Sequence, residues 1–411
     1  MELLHAFQEI SQFFGHNRLY YKGVKVILFL QANDTFFFRD GRPFTKGDQS
    51  EGYSIFPPLP STILGGLRTA YISEQGDLIS FYQGKMAETI GTPNSLGSIS
   101  LNGVFLADRE SEIYYPIPLD LVTKKKEKLY ALECSPEKSN FISNSPLNRY
   151  LRWDADDEDV ESETDGRLEG IDLTEYLLGG QTEFIFKSLE DFVRSEPKIG
   201  IDRDYNTSAS KDNMLYRINM SRFQPQFHNN PNERKALSDL GFVVDYQCEE
   251  MLPEKGLLKL GGEGKSFTYK QSGHNPNPFA TEKDMTALKV SICSSRAFKL
   301  YFATPAIFDQ GWLPKWIDKE THKVEYSSLS FELITAAVGK PIAIGGWDMK
   351  KNAPKPTRQA VPAGSVYYFK ISDEICINTI INAFHYKNIS DYQAAEGFGL
   401  CFVGAVRGDK I

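Results

Sequence analysis

The sequence predicts an α+β protein with two domains, and three observations support this class. Phe and Tyr are abundant, with 28 and 20 copies among 411 residues, and aromatic residues favour strands over helical bundles. Short apolar runs of strand composition recur along the chain, whereas helical spacing occurs in only a few segments. The chain is also long enough to bury a core in each of two domains.

The first domain opens with a strand and then a helix. The run "VKVILFLQ", from Val24 to Gln31, has the β-branched composition of a buried strand. In "FPPLPSTILGGLRTAYI" the prolines end the preceding segment, Ser61 is a suitable N-cap, and the following apolar residues lie at helical spacing. Strand, turn and helix in this order begin a βαβ unit. Three strand-like runs follow, which are "SISLNGVFLA", "EIYYPIPLDLV" and "KLYALEC".

The middle of the chain is less regular. It contains a short helix at "LTEYLL" and strand-like runs at "MLYRINMSRF" and "GFVVDYQC". It also contains the stretch 154–172, "DADDEDVESETDGRLEGID", which has ten acids and one arginine. Because the whole chain carries a net charge of −8, the rest of the protein is close to neutral. An acidic stretch without aromatic residues predicts a solvated loop or a disordered insert.

The final third is regular again. Four strand-like runs precede a helix, "EICINTIINAFHY", and a last strand, "LCFVGAV". This order resembles the β–α–β–β–α–β unit of ferredoxin-like domains, so we expect two such domains with an irregular insertion region between them. The expected divisions are a helical N-terminal extension at 1–23, a first domain at 24–285 with an acidic loop at 154–172, and a second domain at 286–411.

The cysteines and histidines indicate no metal or cofactor site. The five cysteines lie far apart without a CxxC pair, and the six histidines form no HxH or HExxH motif. "LGGEGKS" at 260–266 suggests a phosphate-binding loop, but Lys259 stands where the Walker pattern requires its first glycine. Glu2 lies where a signal peptide carries basic residues, and no run approaches the roughly 20 apolar residues of a membrane helix. We expect a cytoplasmic protein without a cofactor and without membrane contact.

Two arginines lie on a tight turn beyond the first strand, in "FFFRDGRPF" from Phe36 to Phe44. In a structural interpretation, Asp40 pairs with one of them. In a functional interpretation, Arg39 and Arg42 contact an anion. The residues alone leave both interpretations open.

A second basic segment is "EPKIGIDRDYNTSASKDNMLYR", which covers residues 196–217. Its cations, among them Lys198 and Arg203, are spaced along a chain that then enters a strand. The segment is either a long solvated hairpin or a basic finger that follows a phosphate backbone.

A third basic segment is "GKPIAIGGWDMKKNAPKPTRQAVPAGSVYYF", which covers residues 339–369. It includes Lys340, Trp347 and Arg358, with a single acid among several cations. Single-stranded RNA binding needs cations for phosphates and a ring for a base, and this segment offers both. A basic loop without this function would have the same composition.

A glycine-rich segment, "EGFG" at 396–399, lies between the last helix and the last strand. Glycines there allow backbone N–H groups to point at an anion, or they simply close a tight turn.

In their order along the chain, these segments resemble one family. The blocks "FFFRDGRPF", "FPPLPSTILGGLRTA", "EPKIGIDRD", "LGGEGK", "FATPAIFDQGWLP", "ITAAVGKPIAIGGWD", "RQAVPAGSVYYF" and "EGFGL" are similar to the third subunit of the Cmr complex, the type III-B CRISPR effector. The resemblance runs from about Val24 to Val406 and places the chain in the RAMP superfamily. Only the N-terminal helix and the acidic stretch are peculiar to this sequence.

The resemblance implies a fold, a function and a site. RAMP proteins are built from ferredoxin-like, RRM-like domains, and their C-terminal glycine-rich loop contacts RNA; Gly397, Phe398 and Gly399 fall on that loop. This subunit holds the repeat-derived 5′ tag of the CRISPR RNA and docks against the large polymerase-like subunit and the first backbone subunit. It is not the subunit that cleaves the target. Arg39 and Arg42 are then placed for RNA phosphates or for bracing the face that binds the tag.

The rival function is a metal-independent endoribonuclease that processes precursor CRISPR RNA. Such an enzyme needs a general base and a general acid near the 2′-hydroxyl and the leaving oxygen. The candidates are His228 and His274, but each lies in a loop rich in Asn and Pro and has no partner signal. We expect both to be surface loop histidines and the chain to have no catalytic residue.

Overall fold

The structure is a computed structural model that describes residues 23–39, 51–52, 54–135, 147, 149–153, 159–224, 239–279, 281–326, 329–348, 350–372 and 374–407. It is a mixed α and β protein with many antiparallel strands and few helices, as the sequence predicts. The expected N-terminal helix lies outside the described residues.

The described helices are α1 (Pro60–Gln75), α2 (Leu78–Tyr82), α3 (Gly170–Leu178), α4 (Glu282–Ser295), α5 (Ile377–Phe384) and a 3₁₀ helix at Leu189–Asp191. The helix after the first strand begins at Pro60, whose fixed φ and missing N–H suit a first turn. Its N-cap residue is Leu59, without a side-chain cap, rather than the expected Ser61.

The strands are β1 (Val24–Ala32), β2 (Glu51–Gly52), β3 (Ser100–Asp108), β4 (Ile113–Pro116), β5 (Leu121–Lys124), β6 (Lys128–Ala131), β7 (Glu133–Cys134), β8 (Leu151–Arg152), β9 (Glu161–Ser162), β10 (Arg167–Glu169), β11 (Glu183–Phe184), β12 (Val193–Arg203), β13 (Ser210–Phe223), β14 (Leu240–Cys248), β15 (Lys255–Lys259), β16 (Ser266–Gln271), β17 (Ala297–Phe302), β18 (Lys323–Tyr326), β19 (Leu329–Ala337), β20 (Ile342–Ile344), β21 (Trp347–Asp348), β22 (Ala353–Pro354), β23 (Arg358–Ala360), β24 (Val366–Ile371), β25 (Lys387–Asn388) and β26 (Leu400–Ala405).

Two large antiparallel sheets organise these strands. The first has the order β10-β4-β3-β14-β1-β16-β15, and the second has the order β18-β19-β24-β17-β26-β25. Smaller sheets are β11-β6-β5-β9, β12-β13-β2, β20-β23, β21-β22 and β7-β8, in which only the contact between β13 and β2 is parallel.

Each large sheet contains the strand order of a β–α–β–β–α–β unit but lacks one of its helices. In the first sheet these strands are β3, β14, β1 and β16, and α1 connects β1 to β3. Only a short segment with strand β15 joins β14 to β16, where the second helix would lie. In the second sheet they are β19, β24, β17 and β26, and α5 connects β24 to β26.

The missing helix of the second sheet would lie between β17 and β19. Pro305, Gly311 and Pro314 break up that segment, and none of its described residues is helical. Helix α4 instead precedes β17. Two complete ferredoxin-like domains are therefore not confirmed.

The first sheet buries both of its faces. Along β1, Leu28 and Leu30 pack in a core with α1, whereas Phe29 points to the opposite face. That opposite face shares one core with the second sheet, in which the rings of Tyr115 and Phe402 lie 6.2 Å apart. The two sheets therefore pack on each other through side chains of both.

The acidic stretch is partly built into the fold. Strand β9 lies within it, β10 forms an edge of the first sheet, and α3 begins at Gly170. Leu168 is fully buried and Arg167 is 5% exposed. The prediction of an irregular loop does not hold for residues 161–162 and 167–172, which form β9, β10 and the start of α3. Among the described residues of this stretch, burial is confined to its centre, because the apolar side chain of Leu168 fills core volume that the count of charges does not reveal. Residues 154–158 lie outside the described part of the chain.

Candidate nucleic-acid interface

The basic hairpin, defined as residues 342–360, is built from two short strand pairs. Strand β20 pairs with β23, so that Ile344 faces Arg358, and β21 pairs with β22, so that Trp347 faces Pro354. Between the two pairs, the N–H of Lys355 donates to the carbonyl of Gly346 at 2.9 Å. The hairpin is therefore a continuous two-stranded element at the protein surface.

The basic hairpin carries excess positive charge. Lys350, Lys351, Lys355 and Arg358 are exposed, and Asp348 is the one acid in its described part. The carboxylate of Asp348 accepts the backbone N–H groups of Lys350 and Lys351, each at 3.0 Å, and these bonds lower the pKa of Asp348. Asp348 thus fixes the turn and stays ionised. The ammonium of Lys351 lies 3.8 Å from this carboxylate, yet the lysine side chain remains mostly exposed.

The predicted aromatic residue lies among these cations. Trp347 has 48% of its surface exposed, although tryptophan side chains are highly buried on average. Lys340, two residues before the hairpin, is also exposed. The structure therefore brings Lys340, Trp347 and Arg358 onto or beside one surface element.

The guanidinium of Arg358 is held by stacking. Its central carbon lies 3.9 Å from the centre of the Tyr392 ring. The hydroxyl of Tyr392 donates to the carboxylate of Asp309, which raises the pKa of the tyrosine. The ring is thereby fixed in place, and it orients a planar donor group toward the surface.

The base of the basic hairpin rests on the glycine-rich loop. Ile344 and Ala360 of the hairpin form a small apolar cluster with Ile307 and Phe398. Phe398 is completely buried, so its ring is not available to stack on an RNA base in this structure. Its observed role is to support the hairpin.

The two glycines of this loop allow a backbone conformation that other residues rarely adopt. Gly397 and Gly399 have φ values of 97° and 76°, in the left-handed region that favours glycine. Their N–H groups donate to the carbonyls of Ala394 and Pro305, at 3.0 and 2.7 Å. The expectation that these N–H groups point at an anion does not fit this arrangement, because both already donate within the protein.

A second basic element is the long arm, defined as residues 193–223, which β12 and β13 form. Lys198 lies on β12 and pairs with Glu263 at 2.9 Å. Arg203 ends β12, where its backbone pairs with Ser210; its side chain lies outside the described part. At the tip of the arm Tyr205 is 99% exposed.

The arginine turn lies beside the long arm. Phe36 exchanges backbone hydrogen bonds with Ser221 of β13, at 2.8 and 2.7 Å, and the exposed Arg39 forms a backbone bridge with Ser54. Arg42 and Asp40 lie outside the described residues. The segment from Ser54 to Leu59 then leads to the apolar cluster under the basic hairpin, which Leu59 contacts.

One further basic element lies outside the segments that the sequence motifs indicate. The turn between β5 and β6 reads "KKKEK" from Lys124 to Lys128, and its residues 125–128 are exposed. The presence of four lysines among five residues is the sequence feature that indicates this basic element.

Neither histidine offers a catalytic group in the described structure. His274 is 7% exposed, so the prediction of a surface histidine is wrong for it. Its Nε2 contacts the carbonyl of Asp108 at 2.9 Å, its Nδ1 contacts the hydroxyl of Ser272, and burial lowers its pKa. His228 lies outside the described residues. Within the described residues, no group of three His, Cys, Asp or Glu side chains could hold a metal ion, and no helix is long and apolar enough to cross a membrane.

Comparison with known proteins relates most of the chain to one family. Two chains from solved complexes are similar: one in a type III-B Cmr-beta bound to cognate target RNA and AMPPnP, and one in a type III-B Cmr-beta bound to cognate target RNA. The first is 13% identical, with 83% of this chain and 86% of that chain covered and a TM-score of 0.44. The second is 15% identical, with 87% and 89% covered and a TM-score of 0.44. No curated protein matches the chain.

The family model described as CRISPR-associated protein (Cas_Cmr3) matches residues 28–405. This range includes nearly all of both large sheets, the long arm, the basic hairpin and the glycine-rich loop. The chain therefore belongs to the Cas_Cmr3 family of CRISPR-associated proteins, the family that its sequence motifs indicate.

Proposed function

We propose that the chain is a non-catalytic, RNA-binding subunit of the type III-B Cmr effector complex. In this proposal it holds the repeat-derived 5′ tag of the CRISPR RNA. It also anchors the large polymerase-like subunit and the first backbone subunit. Family membership supports the complex, and the basic hairpin is the observation that carries the RNA-binding role.

The chemistry of the basic hairpin suits a single RNA strand. Lys350, Lys351 and Lys355 offer ammonium groups to successive phosphates, and Trp347 presents nearly half of its surface to a base. Arg358 adds a planar donor that can bind two oxygens of one phosphate, and its stacking on Tyr392 limits its rotation before RNA arrives.

Among the described residues, no observation favours the endoribonuclease alternative. General acid–base cleavage needs a titrating side chain that can reach the RNA. His274 is buried, and both of its ring nitrogens already have protein partners.

The test removes the charge of the basic hairpin. We expect the triple change Lys350→Gln, Lys351→Gln and Lys355→Gln to weaken binding of the full chain to RNA that carries the 5′ tag. The slope of log K against log salt should fall by up to about 2, because each phosphate contact on a single strand contributes roughly 0.7. Electrophoretic mobility shifts over a range of salt concentrations measure both effects.

The matched control changes three exposed lysines on other elements, Lys85, Lys283 and Lys319, to Gln. It removes the same charge and should leave the salt slope nearly intact. Equal losses in the two variants would show a general charge effect and contradict a site on the basic hairpin. The same incubations in EDTA also report cleavage, and specific cleavage products would overturn the non-catalytic part of the proposal.

A further inference from the structure

The lysine turn, defined as residues 124–128, closes the hairpin of β5 and β6. Lys124 and Lys128 form the last pair of the ladder, and the N–H of Glu127 donates to the carbonyl of Lys124 at 3.1 Å. Strand β9 flanks β5 and strand β11 flanks β6. The turn is therefore presented by the two central strands of a four-stranded sheet.

The backbone of the lysine turn has an unfavourable conformation for its residues. Lys125 and Lys126 have φ values of 51° and 58°, so two successive side chains lie in the left-handed region. Although the loop has three residues, two successive positive φ values favour Asn and Gly, because these residues tolerate the left-handed region. Strained residues of this kind concentrate at functional sites. Lysine at both of these unfavourable positions therefore indicates that the two side chains have a function.

Within the described residues, the outer lysines of the turn, Lys124 and Lys128, contact neighbouring side chains. The ammonium of Lys124 lies 4.8 Å from the Trp153 ring and 5.2 Å from the Tyr130 ring. Lys128 pairs with Glu183 at 3.1 Å.

The two central lysines are different. Lys125 and Lys126 are exposed and form no ion pair with another described residue. Among the described residues, the acids on or beside this hairpin are Glu127 within the turn, Glu161, whose backbone pairs with Thr123, and Glu183, which pairs with Lys128.

The ligand that fits is a polyanion recognised by charge alone. A docked protein needs buried apolar anchors at the centre of its interface. The exposed part of the turn is Lys125, Lys126, Glu127 and Lys128, and none of the large exposed apolar side chains lies on this hairpin. A phosphodiester backbone needs only cations, and binds with counterion release.

We propose that Lys125 and Lys126 bind the phosphate backbone of RNA as a contact separate from the basic hairpin. This inference rests on the proposed RNA-binding function. It adds a second surface to that function and explains why lysines stand where the turn geometry favours Asn-Gly.

The test uses the residues that the turn prefers. In the full chain, the double change Lys125→Asn and Lys126→Gly relieves the backbone and removes both charges. We expect an equal or higher melting temperature, together with weaker binding to tagged CRISPR RNA and a salt slope reduced by about 1.4. The double change Lys125→Arg and Lys126→Arg keeps the charges and should retain the slope.

The outcomes separate this inference from the proposed function. If the natural chain does not bind tagged RNA, the proposed function fails. If it binds and the Asn-Gly variant binds equally well with the same slope, only the lysine turn is overturned. If the Asn-Gly variant melts lower, the pair Lys125→Gln and Lys126→Gln tests the charge instead. A variant that loses binding to polyglutamate but keeps binding to RNA would assign the turn to an acidic protein and overturn the RNA assignment.

Discussion

At Gly399 the chain needs a left-handed backbone and a close approach at the same place. A Cβ on this residue would lie 2.5 Å from the backbone nitrogen of Ser390, and the N–H of Gly399 donates to the carbonyl of Pro305. The hydroxyl of Thr304 donates to the carbonyl of Gly397, which fixes the other side of the loop. The glycine-rich loop is therefore a packed support of the basic hairpin.

Replacement of Gly399 by Ala should destabilise the protein without acting on RNA directly. The left-handed backbone costs about 1–2 kcal/mol for a residue with a Cβ, and the contact with Ser390 adds to it. Gly311→Ala is the matched control, since Gly311 has a φ of 80° but no atom within 4 Å of a new Cβ. Urea unfolding should show the larger loss for Gly399→Ala. A variant that keeps its stability but loses RNA affinity would restore the loop to the binding site.

At the scale of single elements, the sequence predicts a strand or helix best where the pattern of apolar residues alone determines it. The β-branched, apolar composition of "VKVILFLQ" predicts β1, and the helical spacing after the prolines predicts α1. Composition does not predict β10, because the stretch contains ten acids and its one buried leucine, Leu168, does not change the overall acidic character. It also misses the buried Phe398, since a ring between two glycines has the same sequence whether it faces RNA or the core.

In the candidate site, too, some features could be predicted from the sequence and others could not. The cations and the tryptophan of the basic hairpin could be predicted, because charge and aromatic content are properties of the sequence. The stacking of Arg358 on Tyr392 could not, since it joins two segments through tertiary packing. The pairing of Lys198 with Glu263 is likewise a contact between distant strands.

Strand β10 gives a test of whether the acidic stretch is structural. Leu168→Ala should lower the free energy of unfolding by about 2–5 kcal/mol, because it leaves a cavity in the core that the two sheets share. Ile171→Ala is the control within the same stretch, since Ile171 is 65% exposed, and it should change stability by about 0.5 kcal/mol or less. Similar small effects of both changes in chemical denaturation would mean that this segment contributes little to the fold.

At the scale of the whole molecule, buried polar groups join the second large sheet to the elements that pack against it. Asp120, in the segment before β5, accepts hydrogen bonds from Tyr176 of α3 and Tyr368 of β24. Lys299 of β17 lies 3.3 Å from the centre of the Tyr176 ring, and burial lowers its pKa to about 8. Asp245 of β14 accepts from Tyr386, next to β25. These bonds make the packing around the second sheet specific, because a shift of the neighbouring elements would leave buried polar groups without partners.

His385 should make this packing sensitive to pH. It follows α5 and is 8% exposed; its Nδ1 accepts the N–H of Val403, and its Nε2 contacts the side-chain oxygen of Asn277 at 3.1 Å. These partners fit a neutral ring with its proton on Nε2. Burial, and then the charge of Lys387, lower the pKa of His385 from 6.5 to about 4.

The sign of the pH effect follows from this lowered pKa. Between pH 6.5 and pH 4 the unfolded chain binds a proton at this histidine that the folded chain does not bind. Stability from His385 is therefore complete above pH 6.5 and is lost as the pH falls toward 4. Between pH 7 and pH 4.5 the loss should be roughly 2–3 kcal/mol, since one pKa unit corresponds to about 1.36 kcal/mol. His274, whose pKa is also lowered, acts in the same direction.

The variant His385→Gln isolates this contribution. It removes the titrating group but keeps an amide that can meet Asn277, so the variant should lose less stability than the natural chain between pH 7 and pH 4.5. Free energies of unfolding measured in urea at both pH values give the difference, in which the shared contributions of His274 and the carboxylates cancel. Parallel losses in the two chains would mean that His385 is protonated in the folded protein as readily as in the unfolded one. That result would contradict the assignment of a buried, neutral His385 ring between α5 and β26. It would also contradict the packing of this corner of the second sheet.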